Sequence, residues 1–168
     1  MRLNEFEKPQ LLVNTAETLS LSNIALLDLM RAVLNKDVPF RFHAKGNSMV
    51  PFIRNGDIIT ISPLLVRKPQ FGDIVAFVHP HTEQLVVHRV IGRRNGNYLI
   101  KGDASSKSND GLIPFDSLLG RVTTIQRNGR RIRLGLGFEK VFVGMLSHLK
   151  LVVPIRKLFT SINQRIFK

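Results

Sequence analysis

The chain has 168 residues, 43% of them apolar, enough for one domain core with short additions at either end. It contains no cysteine, which excludes disulfides, thiolate metal sites and a cysteine nucleophile, and says nothing of compartment. The formal net charge is +13, and nine basic residues fall between Gly129 and Lys168 against one acid, Glu139. That tail is also rich in Leu, Val, Ile and Phe, which suits an anionic surface better than a plain solvated face.

The first residues are polar and include Glu5 and Glu7, where a signal peptide would be basic. No stretch reaches the ~20 apolar residues of a spanning helix. Asn23 to Leu34 is interrupted by Asp28 and Arg31, and Val141 to Ile155 by His148 and Lys150. The expected location is therefore cytoplasmic or peripheral to a membrane.

Within about Leu11 to Leu34, residues Leu26, Leu27, Met30, Val33 and Leu34 recur at helical spacing. Ser22 and Asn23 suit an N-cap, and Pro39 follows the end. Residues 1–38 thus read as an N-terminal helical segment.

From Pro39 the signal changes to short β runs. Strands are predicted at Phe40 to Ala44, at Asp57 to Ile61 after Arg54-Asn55-Gly56, and at Asp73 to Val78 after Phe71-Gly72. Gln84 to Ile91 and Tyr98 to Lys101 flank Arg94-Asn95-Gly96-Asn97, whose Asn-Gly marks a hairpin. Gly120 to Gln126 supplies one more strand. Residues 39–127 are expected to form an antiparallel core, without the long crossovers of βαβ units.

Residues 128–168 form the basic C-terminal segment. A short strand is predicted around Arg131 to Leu134, then a link at Gly135 and Gly137. Phe138 to Lys168 reads as one or two amphipathic helices broken at Pro154. The fold class expected is mainly β with flanking helices, α+β. Neither an internal repeat nor a low-complexity tract is present.

Four segments carry chemistry: Gly46-Asn47-Ser48-Met49-Val50-Pro51, Gly72-Asp73-Ile74-Val75, Val87-His88-Arg89-Val90-Ile91 and Lys101-Gly102-Asp103. Ser48 lies between a glycine and a proline, where no regular strand can continue. A turn there exposes its hydroxyl and frees nearby backbone N–H groups for an oxyanion. His88 lies in a β-branched run, which would hold its imidazole rigidly, as a general base requires. Asp103 follows Gly102 at a turn, where a carboxylate could orient that ring. Spacing alone does not show that the three converge.

From about Phe40 to Val122, these segments in this order resemble the boxes of the type I signal peptidases and the related self-cleaving repressor peptidases. The resemblance implies an antiparallel β core of the signal peptidase type and a serine endopeptidase that cleaves an extended polypeptide after small residues. In most of that superfamily the base is a lysine. Val-His-Arg-Val-Ile is instead similar to the endoplasmic-reticulum, archaeal and sporulation-type branch, where histidine takes its place. There a Lys-Gly-Asp box precedes a second aspartate, matched here by Asp103 and then Asp110. The carry-over makes Ser48 the nucleophile, His88 the base and Asp103 or Asp110 the orienting acid, and leaves Lys101 a poor candidate for the base. Asn47, Ser48 and Met49 fall at the oxyanion hole and substrate cleft. Gly46 stands where some bacterial relatives carry a hydroxyl, so the hole would rest on the Ser48 N–H, aided by Asn47.

Histidine, with a reference pKa of ~6.5, is basic near neutrality without deep burial, whereas lysine at ~10.4 must be strongly desolvated. Histidine then needs an acid to fix its tautomer, which accounts for the aspartate. Gly56-Asp57 and Gly72-Asp73 read as turn residues that start strands. Met49 reads as packing or cleft lining, and Tyr98 as cross-strand packing. His79 and His81 have a suggestive spacing but no carboxylate cluster, so neither a metal nor any other cofactor is expected. His43 and His148 read as surface or packing residues.

Two other readings compete: a repressor-peptidase-like regulatory module, and a catalytically idle peptide-binding domain. Nucleic acid is not an expected partner, because no helix-turn-helix precedes the core and no Ala-Gly dipeptide is available for self-cleavage. An anionic membrane surface is the other expected partner, met by Phe142, Met145, Leu146, Leu149, Val152 and Phe159 among Lys150, Arg156, Lys157 and Arg165.

Overall fold

A computed structural model describes residues 23–64, 67–105, 110–133, 136–137 and 139–149. Helix α1 spans Asn23–Leu34, and its Leu27, Met30 and Leu34 are buried at helical spacing. Asp37 turns the chain at φ 60° ahead of Pro39. The stretch 11–22, where the sequence also suggests helix, lies outside the described residues.

Eight strands follow: β1 Phe40–His43, β2 Ile58–Ser62, β3 Ile74–Val78, β4 Leu85–Arg94, β5 Asn97–Lys101, β6 Leu112–Ile113, β7 Leu118–Arg127 and β8 Arg130–Ile132. A one-turn 3₁₀ helix at Phe115–Ser117 precedes β7, and helix α2 spans Lys140–His148. The architecture is mainly antiparallel β with one helix at each end, the α+β class the sequence suggests. Pro154 and residues 151–168 lie outside the described residues.

All pairings are antiparallel, in the order β1-β2-β7-β3-β4-β5-β6, with β8 on the far half of β7. The β4–β5 turn has Asn95 at φ 50° and Gly96 at φ 80°, the left-handed pair that suits a two-residue hairpin. Asn128 and Gly129 repeat it at φ 49° and 74°, so β8 begins at Arg130, one residue before its expected start. β6 is too short to leave a periodic signal in the sequence.

Strand β3 is buried on both faces, which accounts for its unbroken run Ile-Val-Ala-Phe. Ile74 and Ala76 enter one core cluster with Met30, Leu34, Met49, Ile59, Ile61 and Val122. Val75 and Phe77 enter a second with Val90, Tyr98, Ile100 and Ile113. Tyr98 pairs in register with Arg93 of β4 and Ile113 of β6, and its ring lies 6.4 Å from that of Phe115 in the 3₁₀ helix. α2 lies over Phe52 through Val143, while Gly144 approaches the Phe71-Gly72 turn so closely that an added Cβ would stand 3.1 Å from Gly72 Cα. No helix among the described residues is long and apolar enough to cross a membrane.

Candidate active site

Strand β4 sets the site. Successive side chains on a strand point to opposite faces, so His88 and Arg89 diverge. The His88 side chain is 13% exposed and faces the cleft described below, whereas Arg89 is fully buried. Each therefore takes a different acid.

His88 Nδ1 donates to Asp110 Oδ2 at 2.6 Å. A carboxylate only accepts, so this bond uses a proton on Nδ1, and in the neutral ring Nε2 then carries the lone pair. Asp110 is held by its backbone N–H, which donates to the Ile100 carbonyl at 2.9 Å. Asp103, the other acid the sequence suggests, lies instead on Arg89: Nε donates to Oδ1 at 2.9 Å and Nη2 to Oδ2 at 2.8 Å. Arg89 Nη1 also donates to the Gly72 carbonyl at 2.7 Å, and its guanidinium lies 5.2 Å from the centre of the Phe52 ring. Removing one partner of such a buried pair costs about 3–5 kcal/mol, because the other charge is left uncompensated. Asp103 thus acts on the site through the backbone it anchors.

That backbone is Gly102-Asp103-Ala104. The Ala104 N–H donates to the Ser48 carbonyl at 2.8 Å. A Cβ on Gly102 would meet that same carbonyl oxygen at 2.8 Å and His88 Nε2 at 3.0 Å. The serine turn, the Nε2 side of the imidazole and Gly102 therefore converge on one point, and only a residue without a side chain leaves room for it. Lys101 is buried and pairs in register with Arg89.

Ser48 sits on a turn that Met49 nails to the core. Met49 is 4% exposed, its carbonyl accepts from the Phe52 and Ile53 N–H groups at 3.0 Å each, and Val50-Pro51 is cis. Gly46 bends the chain into this turn at φ 90°. Ser48 and Asn47 are exposed. Among the described residues the Ser48 and Met49 amides donate to no acceptor, and no hydrogen bond joins the Ser48 hydroxyl to His88.

A cleft of about 360 Å³ opens beside Ser48 and His88. β1 and the turn after it form one wall, with Phe42, Ala44, Lys45 and Gly46; Leu85, Val86 and Val87 of β4 form the other. Met49, Ile53 and Ile59 also line it, as does Leu26 of α1. Asn47 does not. Among the described residues both walls have free edges: β1 pairs with β2 alone, and Leu85–His88 pair with β3 alone because β5 joins only from Arg89.

The two Gly-Asp turns are built alike. Gly56 and Gly72 both adopt φ 86°, and Asp57 and Asp73 accept the N–H three residues earlier, from Arg54 and Gln70, at 2.8 Å. Each carboxylate also receives a distant cation. Arg127 at the end of β7 grips Asp57 at 2.8 and 2.7 Å, and Lys140 of α2 reaches Asp73 at 2.5 Å beside Arg67 at 3.0 Å. Burial opposes the charge on both aspartates, but these hydrogen bonds and cations overcome it and hold both carboxyls below their ordinary value. Asp57 braces the serine turn, whose Phe52 carbonyl also accepts from Arg127.

Among the described residues no group of three or more His, Asp or Glu converges as a metal site; His79 and His81 lie ring to ring at 5.8 Å. Arg89 and Gly102 are the positioning residues that the sequence reading passes over. The available signal was the arginine itself: a guanidinium inside an apolar strand needs a buried acid.

The family described as Peptidase S24-like matches the chain over residues 15–122, from ahead of α1 into β7, including the serine turn, both Gly-Asp turns, β4 and Asp110. No curated protein matches the chain.

Proposed function

The chain belongs to the Peptidase S24-like family, and we propose that it is a serine endopeptidase of the histidine-base kind, with Ser48 as nucleophile and His88 as base. The observation that carries this reading is the anchoring of the imidazole at one nitrogen and the direction in which it aims the other. Nδ1 is committed to Asp110 at 2.6 Å, while Nε2 faces the point where Gly102 and the Ser48 carbonyl meet.

In the proposed reaction an extended polypeptide lies between the free edges of β1 and β4, which offer unpaired backbone groups to it. His88 Nε2 takes the proton of the Ser48 hydroxyl as Oγ attacks the scissile carbonyl carbon. The oxyanion is met by the Ser48 and Met49 amides. Collapse breaks the C–N bond, and the imidazolium returns its proton to the departing amine. Water, deprotonated by the same nitrogen, then releases the acyl group from Ser48. Asp110 keeps the tautomer throughout and stabilises the imidazolium.

Ser48→Ala or His88→Ala lowers kcat/KM by about 10³-fold or more, with the thermal midpoint unchanged. Cleavage of a peptide mixture, read by mass spectrometry, checks this. His88→Ala cleaving as well as wild type would remove the base. Repressor peptidases related to this chain cut themselves, so incubating the purified protein alone separates self-cleavage from action on other chains.

We also infer that α2 attaches the protein to an anionic membrane surface. Its inner side packs through Val143 and Gly144, yet Val141, Phe142, Met145 and Leu149 are 46–58% exposed. The sequence beyond it adds Lys150, Arg156, Lys157, Arg165 and Lys168 with no acid. An apolar outer face beside a cationic tail suits a bilayer interface.

A further inference from the structure

We propose that a second pocket, around Asp73, binds a phosphate group. It shares no lining residue with the cleft beside Ser48, and the proposal is independent of the peptidase reading. Arg67, Arg121 and Lys140 line this pocket around a single acid, Asp73, so the cations exceed the carboxylate by two charges. One carboxylate does not serve all three. Lys140 and Arg67 donate to it at 2.5 and 3.0 Å, and the Gln70 N–H takes a further place at 2.8 Å. Arg121 stands off at 3.8 Å, beyond hydrogen-bond reach. Among the described residues its guanidinium donates to no acceptor.

The Arg121 side chain is 28% exposed and that of Lys140 19%. Their surplus charge is therefore screened less than on an open surface, and it favours an anion. A guanidinium presents paired N–H groups that match two oxygens of a phosphate, and Lys140 keeps two of its three donors for another. A phosphate monoester carries about two negative charges near neutrality, which equals the surplus. The position of the pocket points to where such a group would come from. Lys140 opens α2, whose N-terminus adds to the positive field, and the next two residues, Val141 and Phe142, are exposed. A phospholipid meets both parts of that surface, with its phosphate on the cations and its chains on the apolar side chains. A soluble phosphate meets the cations alone.

The test uses the full chain in two arms. In solution, titration calorimetry with inorganic phosphate and with glycerol phosphate is compared with chloride at equal ionic strength. On membranes, co-sedimentation with phosphatidylcholine vesicles carrying phosphatidic acid is compared with vesicles carrying oleate at equal surface charge, so that plain cationic attraction cancels. Wild type is expected to bind in at least one arm, and Arg121→Gln to weaken that binding by about tenfold or more, as the loss of a charged hydrogen-bonding partner does. Arg121 makes no side-chain hydrogen bond to the described fold, so the thermal midpoint without phosphate should stay in place. Arg121→Lys keeps the charge without the paired donors; it should fall between the two, and it keeps the test open if Arg121→Gln does not fold. Phosphate bound in solution with no preference for phosphatidic acid supports the pocket and assigns it a soluble ligand; the reverse supports it and assigns a lipid. Binding that Arg121→Gln leaves unchanged overturns the proposal. So does phosphate held no tighter than chloride together with equal sedimentation by both kinds of vesicle. Cleavage by Ser48 and His88 is read separately, so neither failure bears on it.

Discussion

At the scale of single residues, the site depends on two atoms being held and one being absent. Asp110 holds Nδ1 of His88 at 2.6 Å. Asp110→Asn keeps the size but offers an amide that can force the other tautomer, so kcat is expected to fall by on the order of 10³–10⁴-fold. Because Asp110 is part-exposed, the thermal midpoint should move little; a large loss of stability with normal kcat would assign it a structural role instead. The absent atom is the Cβ of Gly102. Gly102→Ala would insert a methyl at 2.8 Å from the Ser48 carbonyl oxygen and 3.0 Å from His88 Nε2. Both neighbours are fixed, one by the Ala104 N–H and one by Asp110, so the ring and the turn are driven apart. Cleavage is expected to drop by about a hundredfold, as for comparable misplacements of about 1 Å. Wild-type kcat/KM in the Gly102→Ala protein would contradict that convergence.

At the scale of elements, the two Gly-Asp turns act as clasps that join distant parts of the chain. Asp57 ties the turn before β2 to the end of β7, and Asp73 ties the turn before β3 to α2. Both folded carboxyls lie below their ordinary value, so the unfolded chain binds more protons in acid. Their stabilisation is complete above the unfolded carboxylate value of about 3.9 and is lost as the pH falls through the lower folded values. Thermal midpoints measured from neutral pH down to about pH 2 should show this fall. Asp73→Asn should be less stable than wild type near neutrality, and the gap should close in acid. A gap that stays constant across that range would mean that the charge of Asp73 is not what holds α2.

Across the whole molecule, α2 couples the proposed membrane face to the site. It packs on Phe52, three residues after Met49, and on the Gly72 turn, whose carbonyl accepts from Arg89. Co-flotation with vesicles of anionic lipid at low salt, and its loss at high salt, is the expected result for the full chain. Phe142→Asp together with Met145→Asp should abolish it while leaving the fold intact. Flotation that ignores both salt and these changes would assign the attachment to another surface.

Much of this architecture was legible in local chemistry. Apolar alternation and Asn-Gly turns mark β2 to β5, since period and turn type are decided within a few residues. Gly46 and Pro51 around Ser48 mark a turn for the same reason, and the β-branched run around His88 marks a rigid strand. What lay beyond the sequence was the choice of partners. Asp103 and Asp110 are both near enough along the chain to serve His88, and nothing in their spacing separates them. The fold decides because His88 and Arg89 are consecutive on β4 and must face opposite ways: the buried guanidinium takes the buried acid, and the cleft-facing imidazole takes the other. The close approach of Gly102 to Ser48 and His88 is likewise a product of tertiary packing, because it joins three segments whose separation along the chain no local pattern can bridge.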